Sequence, residues 1–529
     1  MMRDIGYFYK LSKNIPVSFT ADMGFTKQVK SVIREVFERE TPLVIPNVID
    51  GKSCFGRNIK NQISPIDNRR TICEYSETSQ SDLNRFLNEY PRYKRSISSL
   101  SDRDIKRIFN TASDLLVSKY ADKMMAYTIL GQGKSLYEAE IDAICELGDF
   151  WNFNVDYFNS IKQKQPFSPH GYTNESMYNP LHGFVAAITP FNFTAIGGNL
   201  ATVPLFFKNV TIWKPSSNAV LSNYLVYQIM LEAGMPEEAI AFTPCDPTLF
   251  SNTVLTSPDL GGVLFTGSSQ VFDNILSKIY SNISNYKSYP RVVGETGGKN
   301  WHFLDTSLNR SDLNSVAKKT VQSAFGYGGQ KCSACSIAYV PDKHYDEFKN
   351  ALVRETSKFM LDESFETYTL INENAYDRVD DLMKTFVEDG KYKIVYGGNT
   401  SLNGRYYCEP TIIECNDHED KVFNQEFFAP ILTLYKYSNR EKTMDLCANS
   451  NDYALTGSVF SNSNQMIKHS REFFKEKCGN FYINDKSTGS VVGQQPFGGS
   501  GKSGTNDKAG DVNLLYRMFN QQTIKTGIL

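Results

Sequence analysis

From about residue 180 to 430, extended and helical patterns alternate along the chain, and that alternation dictates βαβ units and a mostly parallel sheet. Val210-Thr211-Ile212-Trp213-Lys214 reads as a buried strand stopped by Pro215, and 219–233 as the following helix, closed by Gly234. The next unit repeats the scheme: a strand at Gly262-Val263-Leu264-Phe265, a turn at Gly267-Ser268-Ser269 and a helix over 271–283. Free amides where that helix begins, at Ser268, suit a phosphate or a ribose-linked diphosphate. After Pro290 the chain starts again with Val292-Val293-Gly294-Glu295, which reads as the opening of a second domain, followed by a helix over 311–325.

At 529 residues the chain is too long for one ordinary core, and its 41% apolar content is enough to fill two or three. A net charge of -2 without any basic block leaves phosphate backbones and anionic lipids no positive patch, so the expected partners are small molecules. The 10 cysteines are scattered rather than clustered as in a disulfide scaffold, which fits a reducing compartment. The longest apolar stretch, Val185 to Phe207, is broken by Pro190, Asn192, Gly197, Gly198, Asn199 and Pro204 and reads as buried core rather than a membrane span. At the N-terminus Arg3, Lys10 and Lys13 outnumber Asp4, a pattern similar to a mitochondrial presequence, with a frayed tail as the alternative.

Chemistry concentrates in two runs. Cys332 sits in Gly328-Gly329-Gln330-Lys331-Cys332-Ser333-Ala334-Cys335, where small neighbours leave its backbone N–H open to a substrate oxygen. Gly294-Glu295-Thr296-Gly297-Gly298-Lys299 supplies a carboxylate to manage water and protons for such a thiolate. Asn192, in the turn Thr189-Pro190-Phe191-Asn192-Phe193, adds a side-chain N–H donor, and two donors make an oxyanion hole. Three decoys fail. Gly499-Ser500-Gly501-Lys502-Ser503-Gly504 matches G-x-G-x-x-G but follows a Pro/Gln loop and has too little chain after it for a βαβ unit. As a P-loop it has Pro496 where the leading glycine belongs. Cys332 and Cys335 form C-x-x-C without a second such pair or a nearby histidine pair, so neither a redox couple nor a metal is expected.

In order, Trp213-Lys214-Pro215-Ser216-Ser217, the glutamate run through Asn300, the cysteine run, and Lys486-Ser487-Thr488-Gly489-Ser490 through Pro496-Phe497-Gly498-Gly499 to Lys508 resemble the aldehyde dehydrogenase superfamily from about residue 50 to the end. Within it they are most similar to the branch that oxidises glutamate 5-semialdehyde. The resemblance implies an α/β fold with a Rossmann-type NAD-binding domain, an α/β catalytic domain and a small oligomerisation element. It implies attack by Cys332, an oxyanion held by Asn192, hydride transfer to NAD, and thioester hydrolysis with Glu295 as base. For the cofactor it implies Thr189, Lys214, Ser217, the turn Gly267-Ser268-Ser269-Gln270-Val271, and Glu426 with Phe428. For the substrate it implies Ser333, Gly489 and Ser490 on the carboxylate, Phe193 and Phe497 as aromatic walls, and Glu146 near the amine.

Two positions depart from the broad pattern: Ser217 stands where many NAD-preferring members carry glutamate, and Phe272 where many carry a second glycine. Without that glutamate no charge repels a 2′-phosphate, which leaves some room for NADP, while the resemblance implies NAD as the cofactor. The expected division is 20–163 and 183–293 for NAD, 294–485 for catalysis, 164–182 and 508–529 for oligomerisation, and 486–507 for the substrate anchor. A homodimer in the mitochondrial matrix is expected, the cytoplasm being the alternative compartment. The alternative activities are oxidation of another acidic semialdehyde, such as succinate semialdehyde, and a catalytically silent homologue.

Overall fold

The computed structural model describes residues 14–15, 23–360 and 369–527; Arg3, Asp4, Lys10 and Lys13, and with them the presequence expectation, lie outside the described residues. Two seven-stranded sheets organise the chain. The first runs in the order Arg291–Glu295, Leu260–Thr266, Phe184–Ile188, Thr211–Lys214, Ile240–Phe242, Asn47–Ile49 and Lys52–Cys54. Its first five strands are parallel, and the hairpin at 47–54 closes one edge antiparallel to Ile240–Phe242. Its central strands, Phe184–Ile188 and Leu260–Thr266, are short and mostly apolar, as burial on both faces requires. Val185 to Phe207 is accordingly core: a strand, the helix Thr194–Thr202 and a 3-10 turn, all largely buried. Among the described residues no helix is long and apolar enough to cross a membrane.

The second sheet runs Lys393–Tyr396, Thr411–Glu414, Ile431–Tyr437, Cys335–Pro341, Asn300–Leu304, Thr456–Phe460 and Asn480–Ile483, parallel except for its first strand. This is an α/β fold with a Rossmann-type sheet and a second α/β sheet. The strand–turn–helix units fall where the periodicity predicts, with the helix after Thr266 at Ser269–Ser281, two residues early, because the Ser268 hydroxyl accepts the Val271 N–H and caps it. One boundary needs correction. Gly294 and Glu295 pair with Phe265 and Thr266, so the strand they end belongs to the first sheet and the crossing begins at Thr296.

The long run near the C-terminus stitches the sheets together. Thr505 donates to the Gly294 carbonyl at 2.9 Å and Thr296 to that of Ser503 at 3.0 Å, while Ala454, next to the second sheet, donates to the Ser503 hydroxyl at 3.1 Å. Tyr172–Pro180 and Phe519–Gly527 pair antiparallel over nine residues as a separate two-stranded ribbon.

Candidate active site

The cysteine loop is shaped by backbone that few residues tolerate. Tyr327, Gly328 and Gly329 are consecutive left-handed residues with φ of 54°, 59° and 68°. A Cβ on Gly329 would stand 2.2 Å from the Ala429 carbonyl oxygen, so glycine alone fits. The Tyr327 hydroxyl bonds the Gln132 carbonyl at 2.6 Å, and the Gln330 amide is spent on Thr369 O and Ile371 N, both at 2.9 Å. Cys332 emerges half-buried from this turn, ahead of the strand Cys335–Pro341. Asn300, the last residue of the glutamate run, fixes its far side: Nδ2 donates to Cys332 O at 2.7 Å and Ala334 O at 2.9 Å, and Oδ1 accepts from Thr456 N at 3.0 Å.

Asn192 is brought to the same loop. Its Nδ2 donates one hydrogen to the Gln330 carbonyl at 3.1 Å, which sets the amide orientation and leaves a second hydrogen for another acceptor. Glu295 is close enough to raise the Cys332 pKa further. Burial is the main cause of that rise, with the Glu295 and Glu426 charges adding to it. Burial likewise pushes the Glu295 carboxyl well above its usual range, only partly offset by the Gly499 amide and Lys508. Its Oε2 is buried with no hydrogen-bond partner among the described residues, and a Cβ on Gly498 would lie 2.8 Å from Oε1. Lys508 pins that glycine by donating to Gly498 O at 2.6 Å and Gly479 O at 2.7 Å.

Because the thiol is held above its ordinary range, its thiolate fraction is small at neutral pH and grows with pH. Alkylation of the ligand-free protein at Cys332 by iodoacetamide is therefore expected to accelerate by about tenfold per pH unit from about pH 7 to 9. A plateau below pH 8 in a mass-resolved time course would contradict this.

Glu426 follows the short helix Lys421–Asn424 and accepts the Gly298 N–H at 2.9 Å. Burial raises its carboxyl to about 7, against the Gly298 bond and the Lys299 charge. Gly297 permits the approach, since a Cβ there would stand 2.0 Å from Oε2. Phe428, at φ 50°, meets Phe191 edge-on at 5.9 Å. On the first sheet, Thr189 donates its N–H to Lys214 O at 3.1 Å and accepts from Trp213 Nε1 at 2.9 Å. Lys214 ends its strand half-buried and, among the described residues, without an ion pair. Ser217 beside it is exposed. Gly267 donates to Glu295 O at 3.1 Å, and Ser269 Oγ donates to Lys502 O at 3.1 Å, so the helix turn is tied to the glutamate strand and the C-terminal run. Gln270 and Val271 face solvent there. Phe272 is explained by Gly294: its ring stacks on Phe265 and fills the space a Cβ on Gly294 would need.

The sequence reading missed a buried ionic cluster beside Phe193. Residues Glu140–Cys145 form a π-helical turn that leads into the helix Glu146–Gln163. Asp142 on that turn pairs with fully buried Lys134 and lies 3.6 Å from Lys331, which also reaches Glu138 at 3.7 Å. Lys134 Nζ sits over the Phe193 ring at 4.1 Å and the Tyr327 ring at 4.0 Å. Burial lifts Glu146 above the usual carboxylate range, and Asp142 adds to it. Lys331 was legible only as a motif neighbour of Cys332, and Lys134 and Asp142 carry no signal in isolation. On the other side, Gly489 takes φ 80° in the loop that follows buried Ser487, whose Oγ lies 3.5 Å from Ser333 O. Phe497 exchanges two backbone hydrogen bonds with Ala509, at 2.8 and 2.9 Å.

The model of the aldehyde dehydrogenase family matches residues 55–524. This chain belongs to the aldehyde dehydrogenase family. The mitochondrial delta-1-pyrroline-5-carboxylate dehydrogenase of Danio rerio is 39% identical over 490 residues, covering 91% of this chain and 87% of that protein. The Dictyostelium discoideum protein of the same name is 40% identical over 92% of this chain and 88% of its own length. Among solved structures, the delta-pyrroline-5-carboxylate dehydrogenase of Mycobacterium tuberculosis superimposes with a TM-score of 0.92 at 33% identity, covering 98% of this chain and 96% of the other. The same protein bound with NAD gives 0.91. As an aldehyde dehydrogenase, the chain keeps both sheets and the loops that bring Cys332, Asn192, Glu295 and Glu426 to the crossing between them.

Proposed function

We propose that this aldehyde dehydrogenase oxidises L-glutamate 5-semialdehyde, in equilibrium with 1-pyrroline-5-carboxylate, to L-glutamate, the second step of proline degradation. The observation that carries this reading is similarity at 39–40% identity, over 91–92% of this chain, to proteins named delta-1-pyrroline-5-carboxylate dehydrogenase, in a chain whose loop of Ser487, Gly489 and Ser490 meets the Cys332 loop at Ser333. The test is turnover by the purified protein: glutamate and NADH in equal amounts from 1-pyrroline-5-carboxylate and NAD support it, and their absence contradicts it.

The residues fit NAD. Lys214 offers an ammonium at a strand end with no ion pair among the described residues, suited to ribose hydroxyls, and Glu426 a carboxylate for the second ribose, with Phe428 beside it and Thr189 supporting Lys214. The helix start at Gly267, Ser268, Ser269, Gln270 and Val271 gives the diphosphate its partial positive charge. Ser217 contributes no negative charge near the ribose, which leaves a 2′-phosphate unopposed and lets NADP be accepted, while the NAD-bound relative favours NAD as the working cofactor. When bound, NAD would supply the hydride acceptor that oxidation of the Cys332-linked carbon to a thioester requires.

The chain's own groups do the rest. The Cys332 thiolate adds to the aldehyde carbon, and the oxyanion is met by the free hydrogen of the Asn192 amide and the Cys332 N–H. Glu295, in its carboxylate form, takes a proton from the water that opens the thioester, and the burial that raises its pKa favours its accepting that proton. Its replacement by glutamine is expected to lower steady-state turnover by about 10²–10⁴-fold. A burst of NADH equal to the active-site concentration should survive in Glu295→Gln, and loss of the burst would move Glu295 to an earlier step. The Gly489 and Ser490 amides and the Ser333 hydroxyl grip the substrate carboxylate, Phe193 and Phe497 flank its aliphatic part, and Glu146 faces the amine.

The polypeptide divides into an NAD-binding part centred on the first sheet and a catalytic part centred on the second, with 486–507 as substrate anchor. The ribbon of 172–180 and 519–527 is the oligomerisation element of a homodimer: both its outer edges are unpaired among the described strands, and Tyr172 and Met177 are 46% and 42% exposed. The relatives named mitochondrial favour the mitochondrial matrix.

A further inference from the structure

His302, in the strand Asn300–Leu304, is fully buried and bonded at both ring nitrogens. Thr320 Oγ1 lies 2.9 Å from Nδ1 and donates its own hydrogen to the Val316 carbonyl at 2.8 Å. That hydroxyl oxygen can therefore only accept from the ring, so Nδ1 carries the hydrogen and Nε2 presents a bare lone pair. Burial holds the ring's pKa down to about 3, and it is neutral at any working pH. Facing Nε2 are the Ser487 backbone N–H at 3.4 Å and the Ser487 hydroxyl at 3.2 Å. The same hydroxyl lies 2.9 Å from Ser323 Oγ and 3.5 Å from the carbonyl of Ser333, the residue after Cys332. Ser323 and Thr320 both belong to the helix Arg310–Phe325. One neutral ring thus joins a strand and a helix of the catalytic sheet to the start of the loop Ser487-Thr488-Gly489-Ser490, where that loop touches the cysteine loop.

We propose that His302, as the Nδ1–H tautomer, is a positioning residue that sets the separation between the Gly489-Ser490 turn and Cys332, and thereby the preference for aldehydes that carry a carboxylate. This rests on the reading that Gly489 and Ser490 hold the substrate carboxylate. A carboxylate anchor helps only if it lies one substrate length from the nucleophile, and displacement by a fraction of an ångström removes the benefit without touching the thiol. An aldehyde with no carboxylate never uses the anchor and is indifferent to its position.

The experiment measures kcat and KM for 1-pyrroline-5-carboxylate and for propanal in the wild type, His302→Leu and His302→Gln. Loss of the acceptor in His302→Leu should lower the preference for pyrroline-5-carboxylate about tenfold, mainly through KM, with propanal kcat/KM within about twofold. His302→Gln, which keeps a donor and an acceptor, should restore most of that preference. Ser487→Ala removes the partner hydroxyl with little volume change, is expected to shift the preference in the same direction, and decides the matter if His302→Leu does not fold. An equal fall for both aldehydes, or an unchanged ratio in a folded variant, overturns the positioning role. A wild type with no preference for pyrroline-5-carboxylate overturns the substrate reading itself, and this inference with it.

Discussion

Replacing Cys332 with alanine is expected to lower kcat by at least about 10⁴-fold, because a covalent route has no substitute for its nucleophile. The change removes only a sulfur from a half-buried side chain, and the contacts that hold the loop run through backbone and neighbours: Asn300 to Cys332 O, Gln330 to Thr369 and Ile371, and Gly329 against Ala429. The fold and NAD affinity should therefore persist, as measured by calorimetric titration with NAD alongside the activity assay. Appreciable turnover in Cys332→Ala would end the thioester account, and loss of NAD binding would mean that the sulfur supports the fold.

The second large effect lies in stability. Asp142→Ala leaves the ammonium of Lys134 fully buried, with two aromatic faces and the more distant Glu138 in place of its direct carboxylate partner. Burial pulls the Lys134 pKa down, and Asp142 is what opposes it. Asp142 in turn stays below the usual carboxylate range despite its own burial, because Lys134 and Lys331 outweigh the desolvation. Breaking a buried pair by removing one member costs about 3–5 kcal/mol. The apparent unfolding midpoint should fall by about 5 °C or more. Removing both charges in Lys134→Met with Asp142→Leu should recover most of the loss, since no ammonium is then left at position 134 and Lys331 keeps Glu138 at 3.7 Å. An unchanged midpoint in Asp142→Ala, or a double variant worse than the single one, would show that the pair contributes little.

What the sequence discloses and what it hides follow from the range of the interactions. The units at 211–233 and 260–281 were legible because period, proline stops and the Ser268 cap are all local signals. Cys332, Glu295 and Asn192 were legible as residue types in small-residue settings, and the structure adds that Gln330 and Asn300 hold two of them to one loop. The Gly294-Glu295 strand was misassigned to the second domain because its partner, Leu260–Thr266, gives no local sign of which neighbour it will accept. The ribbon of 172–180 and 519–527 joins two largely polar strands far apart in the chain, and neither gives a local sign of its partner. Lys134, Asp142 and His302 acquire meaning only from partners on other elements, and their types alone read as ordinary charge or core.

The most direct test of the central claim is NADH formation by the purified protein with NAD and equilibrated 1-pyrroline-5-carboxylate, set beside succinate semialdehyde under the same conditions. Succinate semialdehyde keeps the carboxylate and lacks the amine that Glu146 is read to face. The account predicts a higher kcat/KM for pyrroline-5-carboxylate with glutamate as product; a preference for succinate semialdehyde would contradict it while leaving the Cys332 chemistry in place.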